Sequence, residues 1–195
     1  MKQKIREFKK NQIIDEAVEL ISNYGFHLTT MDRLCENLKV SKPFLYSYFE
    51  NKNALLIEIY DRMITVSSQG ITAILEERSL PEHKLRKIVE YLTKVNINLQ
   101  GISAIYMQEE KNLPEEKREE VRQIERGLDE KFSHLIQAGI DDGVFDVAHP
   151  RIAALAIFSM ARWVHRWYRP DRLPAEVIAA EMGDYALNLL RYKKR

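Results

Sequence analysis

The run from Thr29 to Lys52 leaves the backbone little choice. Thr29-Thr30-Met31-Asp32-Arg33-Leu34 sets hydroxyl residues ahead of a helix-forming stretch, and Val40-Ser41-Lys42-Pro43-Phe44-Leu45-Tyr46-Ser47-Tyr48-Phe49 does so again. Thr29 or Thr30 can cap a first helix, and Thr29 with Asp32 three residues on approximates a capping box. Ser41 can cap a second, and Pro43 is tolerated because it falls in that helix's first turn. The spacing predicts two short helices joined by a tight turn at Leu38-Lys39. Leu45 and Phe49 lie four apart, so they share a face and can bury together. The other side carries Pro43, Tyr46 and Ser47, flanked by Lys42, Phe44 and Tyr48. It is poor in aliphatic anchors and rich in hydroxyls, with a lysine at the helix start. Such a surface suits a DNA groove, where Lys, Ser and Tyr meet phosphates and base edges.

The rest of the chain is helical in pattern, with no β alternation, repeat or low-complexity segment. Ile13, Ile14, Ala17, Leu20, Ile21 and Tyr24 form one stripe, predicting a helix from about Ile5 to a stop at Gly25. Asn51 can cap a long fourth helix reaching about Glu77, with Gly70 a weak point in it. Ser79-Leu80-Pro81-Glu82 marks a new start, and Leu85 to Val95 gives a fifth helix. Gly101 interrupts before a short segment with Ile102, Ile105 and Tyr106. Pro114 starts another long helix, Asp141-Asp142-Gly143 is a turn, and Pro150 opens an eighth helix. From Ile152 to Trp167 that helix is apolar around nearly its whole circumference, so it must be buried on more than one side. One side can face its own core and the other a second subunit. Pro170 and Pro174 bracket a turn before a last helix from about Val177 to Leu190.

Charge and chemistry narrow the function. The net charge of the 195 residues is only +1, so bulk electrostatics does not announce nucleic acid. Its distribution is more telling: Lys2, Lys4, Arg6, Lys9 and Lys10 oppose only Glu7. Beside this motif the cluster is either a phosphate-binding arm or a frayed, solvated terminus. The basic tail, Arg191, Lys193, Lys194 and Arg195, reads as a solvated helix end complementing the helix dipole. The single cysteine, Cys35, rules out an intrachain disulfide and reads as a small buried thiol. The five histidines show no metal-ligand spacing and the seven glycines form no phosphate loop. No catalytic site, metal site or cofactor is expected. There is no apolar run long enough to span a membrane and no signal peptide, so a cytoplasmic protein is expected.

The first sixty-odd residues resemble the N-terminal domain of the TetR family of transcriptional repressors. Ile13, Ile14, Ala17, Gly25, Thr29-Thr30, Leu34, Val40-Ser41, Leu45-Tyr46, Tyr48-Phe49, Asn51-Lys52 and Leu55 carry the resemblance at unbroken spacing. Two positions depart from it: the turn reads Leu38-Lys39 where the family has a small residue and glycine, and Phe44 replaces a small polar residue. The resemblance implies an all-α protein of about nine helices. A three-helix DNA-binding domain over residues 1–50 would precede a helical effector-binding and dimerising domain over 51–195. It implies a homodimer formed by the last two helices, reading a palindromic double-stranded DNA operator with two copies of the second motif helix. Those copies would sit about 34–36 Å apart. Ser41, Lys42, Pro43, Phe44, Tyr46, Ser47 and Tyr48 are the expected DNA contacts, with Thr30 and Lys52 clamping phosphates.

Families of this shape bind a small molecule between the helices of the larger part. Tyr60, Met63, Tyr91, Asn96, Tyr106, Phe132, Trp163 and Trp167 could line such a site, aromatic with a few polar groups; taken singly each reads as ordinary core, and taken together they read as a pocket. Trp163-Val164-His165-Arg166-Trp167-Tyr168-Arg169-Pro170 further resembles the subgroup tied to fatty-acid and steroid catabolism, several members of which respond to acyl-coenzyme A. Arg162, Arg166 and Arg169 could then meet a phosphorylated head. In the competing reading the tryptophans are core or interface anchors and the arginines structural ion-pair partners. A repressor released by a small hydrophobic effector is the leading expectation. A multidrug-responsive repressor and a ligand-blind DNA-binding dimer are the alternatives.

Overall fold

A computed structural model describes residues 1–193; Lys194 and Arg195 of the basic tail lie outside the described residues. Among the described residues the chain forms nine α-helices and one short 3₁₀ turn, without strands. They are α1 (Lys2–Tyr24), α2 (Met31–Leu38), α3 (Lys42–Tyr46), α4 (Lys52–Glu76), α5 (Pro81–Asn98), α6 (Gln100–Gln108), α7 (Glu115–Asp141), α8 (Pro150–Trp167) and α9 (Ala175–Leu189). The 3₁₀ turn spans Glu110–Asn112. No helix among them is long and apolar enough to cross a membrane.

The chain divides into two compact units. The first holds Met1–Met63 and Gly101–Glu119, the second Ile64–Gln100 and Glu120–Arg195. In the first unit α2 packs on α1 and α3 on α2. Of the stripe expected along α1, Ile13, Ile14, Ala17, Leu20 and Ile21 are buried, whereas Tyr24 at its end is exposed, its ring covered by the Arg33 guanidinium instead of the core. Asn51 caps α4, its Oδ1 accepting from the Ala54 amide at 3.0 Å. The second unit is built on α5, which packs against α8 and α9. Its core runs from Ile71 through Leu85, Ile88, Val89 and Leu92 to Phe132, Ile136, Ile157, Phe158 and Met182.

Several sequence expectations shift. The first helix begins at Lys2 rather than Ile5, so Lys2 and Lys4 join Arg6, Lys9 and Lys10 on regular helix. Gly101 does not interrupt; it lies inside α6, and the break falls at Leu99, the C-cap of α5. Gly70 is a seat rather than a weak point. A Cβ there would lie 2.1 Å from the Tyr91 ring, and the Tyr91 hydroxyl donates to the Val66 carbonyl at 2.7 Å. The tail does not simply cap a helix end. After α9 the Lys193 amide donates to the Val144 carbonyl, and its ammonium lies 3.5 Å from Asp146.

The α8 helix is less enclosed than its composition suggests. Ala153, Ala154, Ile157, Phe158, Ala161 and Val164 are buried, but Ile152 (64%), Leu155 (45%), Trp163 (52%) and Trp167 (46%) are exposed. On the following segment Leu173, Val177, Tyr185 and Leu189 are also exposed.

A second close approach in this unit, beside that at Gly70, is at Gly139. Its carbonyl accepts from the Val144 and Phe145 amides, and a Cβ would fall 2.1 Å from the Phe145 ring. Gly→Ala in a helix ordinarily stabilises by about 1 kcal/mol. At Gly139 the sign should reverse, because the buried ring has to move: Gly139→Ala is expected to lower stability by roughly 1–3 kcal/mol in urea denaturation. An increase would remove this account of the α7 turn.

Candidate nucleic-acid interface and effector region

Local chemistry fixes the two-helix motif. Thr30, not Thr29, caps α2: its Oγ1 accepts from the Arg33 amide at 3.2 Å. Thr29 is buried and its hydroxyl donates to the Gly25 carbonyl at 3.0 Å, so the capping box does not form. Lys39 ends α2 in the left-handed region, φ 54 and ψ 44. This is the strained non-glycine turn that Leu38-Lys39 predicted. Ser41 caps α3 through the Phe44 amide at 3.3 Å, with Pro43 in the first turn. Leu45 and Phe49 are buried as a heel beneath the helix. Ser41, Lys42, Pro43, Tyr46 and Ser47 are exposed, and Phe44 and Tyr48 half-buried. The polar face therefore stands clear of its own domain, as a groove-reading face must.

The charges around it are already engaged. Lys42 Nζ sits 2.8 and 2.9 Å from the two Asp32 carboxylate oxygens, and that hydrogen bond holds its ammonium above the usual lysine range. Lys52 donates to the carbonyls of Phe26 (2.7 Å) and His27 (3.3 Å) and lies 4.3 Å from the Phe26 ring centroid. Burial pushes its pKa down. Two of its three N–H donors thus tie the loop before α2 to the start of α4, leaving one for a phosphate.

One set of residues escaped the sequence reading. The Phe44 and Tyr48 rings meet at a tilt of 53°, their centroids 5.2 Å apart. The Arg6 guanidinium stands 5.5 Å over the Tyr48 ring and also donates to the Ser47 carbonyl at 3.3 Å. Lys9 lies 5.2 Å over Phe44, and Lys10 6.0 Å over Phe49 while pairing with Glu58 at 2.7 Å. The signal was present: cations three and four apart on α1 match aromatics four and five apart around α3. It needed the knowledge that the two helices are neighbours. Each such contact is worth about 0.5–1 kcal/mol at an exposed site.

The residues expected to line an effector site fall in both units. In the first, the Tyr60 hydroxyl donates to the Tyr106 carbonyl at 2.8 Å, the two rings lie 4.7 Å apart, and Ser103 Oγ is 4.0 Å from Met63 Sδ. In the second, Tyr91 seats on Gly70, buried Asn96 donates to the Leu92 carbonyl at 2.8 Å, and Phe132 stacks on Phe158 at 4.4 Å. Trp163, Arg166 and Trp167 depart from the expectation. They are exposed on α8, because the Phe158-Ala161-Val164 side of that helix is the one turned into the core. Arg162 follows the competing reading as an ion-pair partner, 3.2 Å from Glu125 and 5.5 Å over Phe158. Arg169 donates to the Tyr168 carbonyl. None of these residues lines the polar cleft of about 250 Å³ formed by Arg126, Asp129, Glu130, Ser133, His134 and Arg151.

Comparison with known proteins matches this architecture along the chain. Residues 13–59 match the model for bacterial regulatory proteins of the tetR family. Residues 78–190, more than half the chain, match the tetracyclin repressor-like C-terminal domain. The chain belongs to the tetR family. The tetR fold recurs in the regulator PfmR from Thermus thermophilus, at 27% identity and TM-score 0.82 over 94% of this chain and 99% of that one. It recurs at 21% identity and TM-score 0.79 in AibR, solved in complex with isovaleryl coenzyme A and operator DNA, over 90% of this chain and 96% of that one. The fatty acid metabolism regulator protein of Bacillus subtilis (strain 168) is 23% identical over 174 residues, 88% of this chain and 89% of that protein. Membership makes this tetR-family chain a transcriptional regulator rather than an enzyme.

Two substitutions test the motif's construction. Thr30→Ala should cost about 1 kcal/mol through loss of the cap. Lys39→Gly should stabilise by roughly 0.5–1 kcal/mol, the left-handed strain exceeding the entropy cost of glycine. Chemical denaturation reads both, and a destabilised Lys39→Gly would mean the turn is not strained.

Proposed function

We propose that this protein is a ligand-responsive transcriptional repressor that binds a palindromic operator as a homodimer in the cytoplasm. The observation that carries the reading is α3, with its aliphatic heel buried and its hydroxyl-bearing face exposed, in a chain of this family. Residues 1–50 bind the operator. Lys42, Pro43, Tyr46 and Ser47 enter the major groove, Ser41 and Thr30 lie near the backbone, and Lys52 gives its remaining N–H to a phosphate. Residues 51–195 bind effector and a second copy.

The exposed apolar side of α8, with Trp163 and Trp167, and its counterpart on α9, with Val177, Tyr185 and Leu189, form the subunit interface. Bulky aromatics exposed beside aliphatics are what such an interface buries. Two α3 helices then read half-sites about 34–36 Å apart.

The effector is a small hydrophobic molecule, and an acyl-coenzyme A thioester is the favoured class. Support comes from the Trp163–Pro170 string, from the name of the B. subtilis relative and from the ligand of AibR. Phe132, Tyr91 and Asn96 are retained as candidates to meet it in the second unit. Bound effector favours a subunit arrangement with the wrong half-site spacing, and a difference of about 1–3 kcal/mol between the two arrangements suffices.

Selection from random duplexes with the full chain should yield a palindrome. Tyr46→Phe and Ser47→Ala should each weaken binding to it, by roughly 1 kcal/mol or more, Tyr46→Phe without a change in melting temperature and Ser47→Ala with the small drop that follows from losing its bond to the Phe44 carbonyl; unaltered affinity in both discards the contact set. Sedimentation should give a dimer that Trp163→Ser with Trp167→Ser converts to monomer. In a thermal-shift screen acyl-coenzyme A esters should raise the melting temperature. If only unrelated hydrophobic drugs do so, the protein answers to xenobiotics.

A further inference from the structure

Three cations on one side of α1 lie over the three aromatic rings that follow the α3 cap: Arg6 over Tyr48, Lys9 over Phe44 and Lys10 over Phe49. Phe49 belongs to the buried heel, and Lys10 is also paired with Glu58. Phe44 and Tyr48 differ from it. They lie half-buried between the heel and the exposed face, on the strip that decides how far α3 can roll. We propose that Arg6 and Lys9 are positioning residues for operator recognition. They hold α3 by its aromatic flank and so set the angle at which Tyr46 and Ser47 meet the bases. The inference rests on the repressor reading above.

Five residues, Lys42–Tyr46, are too few to be stable as a helix alone. The N-terminus of α3 is satisfied by Ser41. Its C-terminus has no glycine; the Ser47 amide is shared between the Pro43 and Phe44 carbonyls, and the Ser47 hydroxyl also donates to the Phe44 carbonyl, at 2.7 Å. Carbonyls at a helix C-terminus attract cations. Arg6 supplies one, donating to the Ser47 carbonyl while its guanidinium covers Tyr48. A single side chain thereby closes the end of α3 and fixes a ring on its flank.

Lys9, one turn further along α1, repeats the ring contact at Phe44. The two rings touch each other, so the cations act on a coupled pair. Two attachment points four residues apart resist both roll and tilt of a one-turn helix. Tyr46 and Ser47, whose side chains have no such attachment from α1, take their direction from that seat. Phe44 and Tyr48 are accordingly flank residues whose contribution to base choice passes through α3's pose. This explains how the chain accommodates Phe44 at a position of expected small polar character: the ring has a cation to meet.

The test uses the full-length chain and its selected operator. Affinity for operator and for a scrambled duplex is measured across a salt series for Arg6→Gln, Lys9→Gln, Tyr48→Leu and Phe44→Leu, and for the doubles Arg6→Gln/Tyr48→Leu and Lys9→Gln/Phe44→Leu. Arg6→Lys and Lys9→Arg serve as charge-preserving controls. Each Gln or Leu single should lower the operator-to-scrambled ratio about two- to fivefold. Each double should be no worse than its worse single, since both remove the same contact. The charge-preserving variants should keep most of the ratio. If the Gln variants instead keep the ratio and make the salt dependence shallower by about one per lysine or arginine, the two residues are phosphate contacts and the proposal falls. It falls equally if the doubles multiply the losses of the singles. Circular dichroism melts confirm that each variant is folded. If the wild-type chain selects no operator at all, the repressor reading fails first, and that result is distinct from either outcome.

Discussion

A helix of five residues cannot hold itself together, and the surface proposed to read DNA is such a helix. Nucleation costs more than one turn of hydrogen bonds returns. Every part of α3 is therefore held from outside. Leu45 and Phe49 anchor it from below, Ser41 closes its start, and Arg6 and Lys9 reach it from α1. The first unit is in effect a mount for that single turn. Its hydrophobic stripe on α1 and the cap at Thr30 keep α2 in place so that α3 has something to lean on.

Much of this was legible in the residues. Caps are written locally: Ser41, Asn51 and Pro150 announce helix starts because each needs only its own next turn to act. Periodicity likewise gave the buried faces of α1 and α5. Lys39 in the left-handed region could be read from the missing glycine. What the sequence withheld depends on neighbours far along the chain. Thr29 and Thr30 look interchangeable until the Gly25 carbonyl claims one hydroxyl. Gly70 looks like a weak point until Tyr91 is laid across it. Lys52 looks like a free cation until the Phe26 and His27 carbonyls close around it.

The candidate effector residues show the same limit more sharply. Aromatics at helical spacing register as apolar, and spacing alone does not say which apolar side of a helix turns inward. On α8 both sides qualify. Core packing takes Phe158, Ala161 and Val164, and Trp163 and Trp167 are left outside. Polarity gave little warning, because the exposed side sets Ile152, Leu155, Trp163 and Trp167 beside Arg151, Ser159 and Arg166. That mismatch between composition and burial underlies the proposed subunit contact on α8.

The seating of Tyr91 on Gly70 reaches beyond local packing. A ring lodged where a side chain is missing, and pinned by its hydroxyl to the Val66 carbonyl one turn back, indexes α4 against α5. An axial slide would carry the ring toward the side chains that share this face of α4, Val66 and Ser67 on one side and Ala73 and Ile74 on the other. Axial shear between these two helices is thus resisted at a single notch. The register of α4 on α5 is held by one absent methyl group.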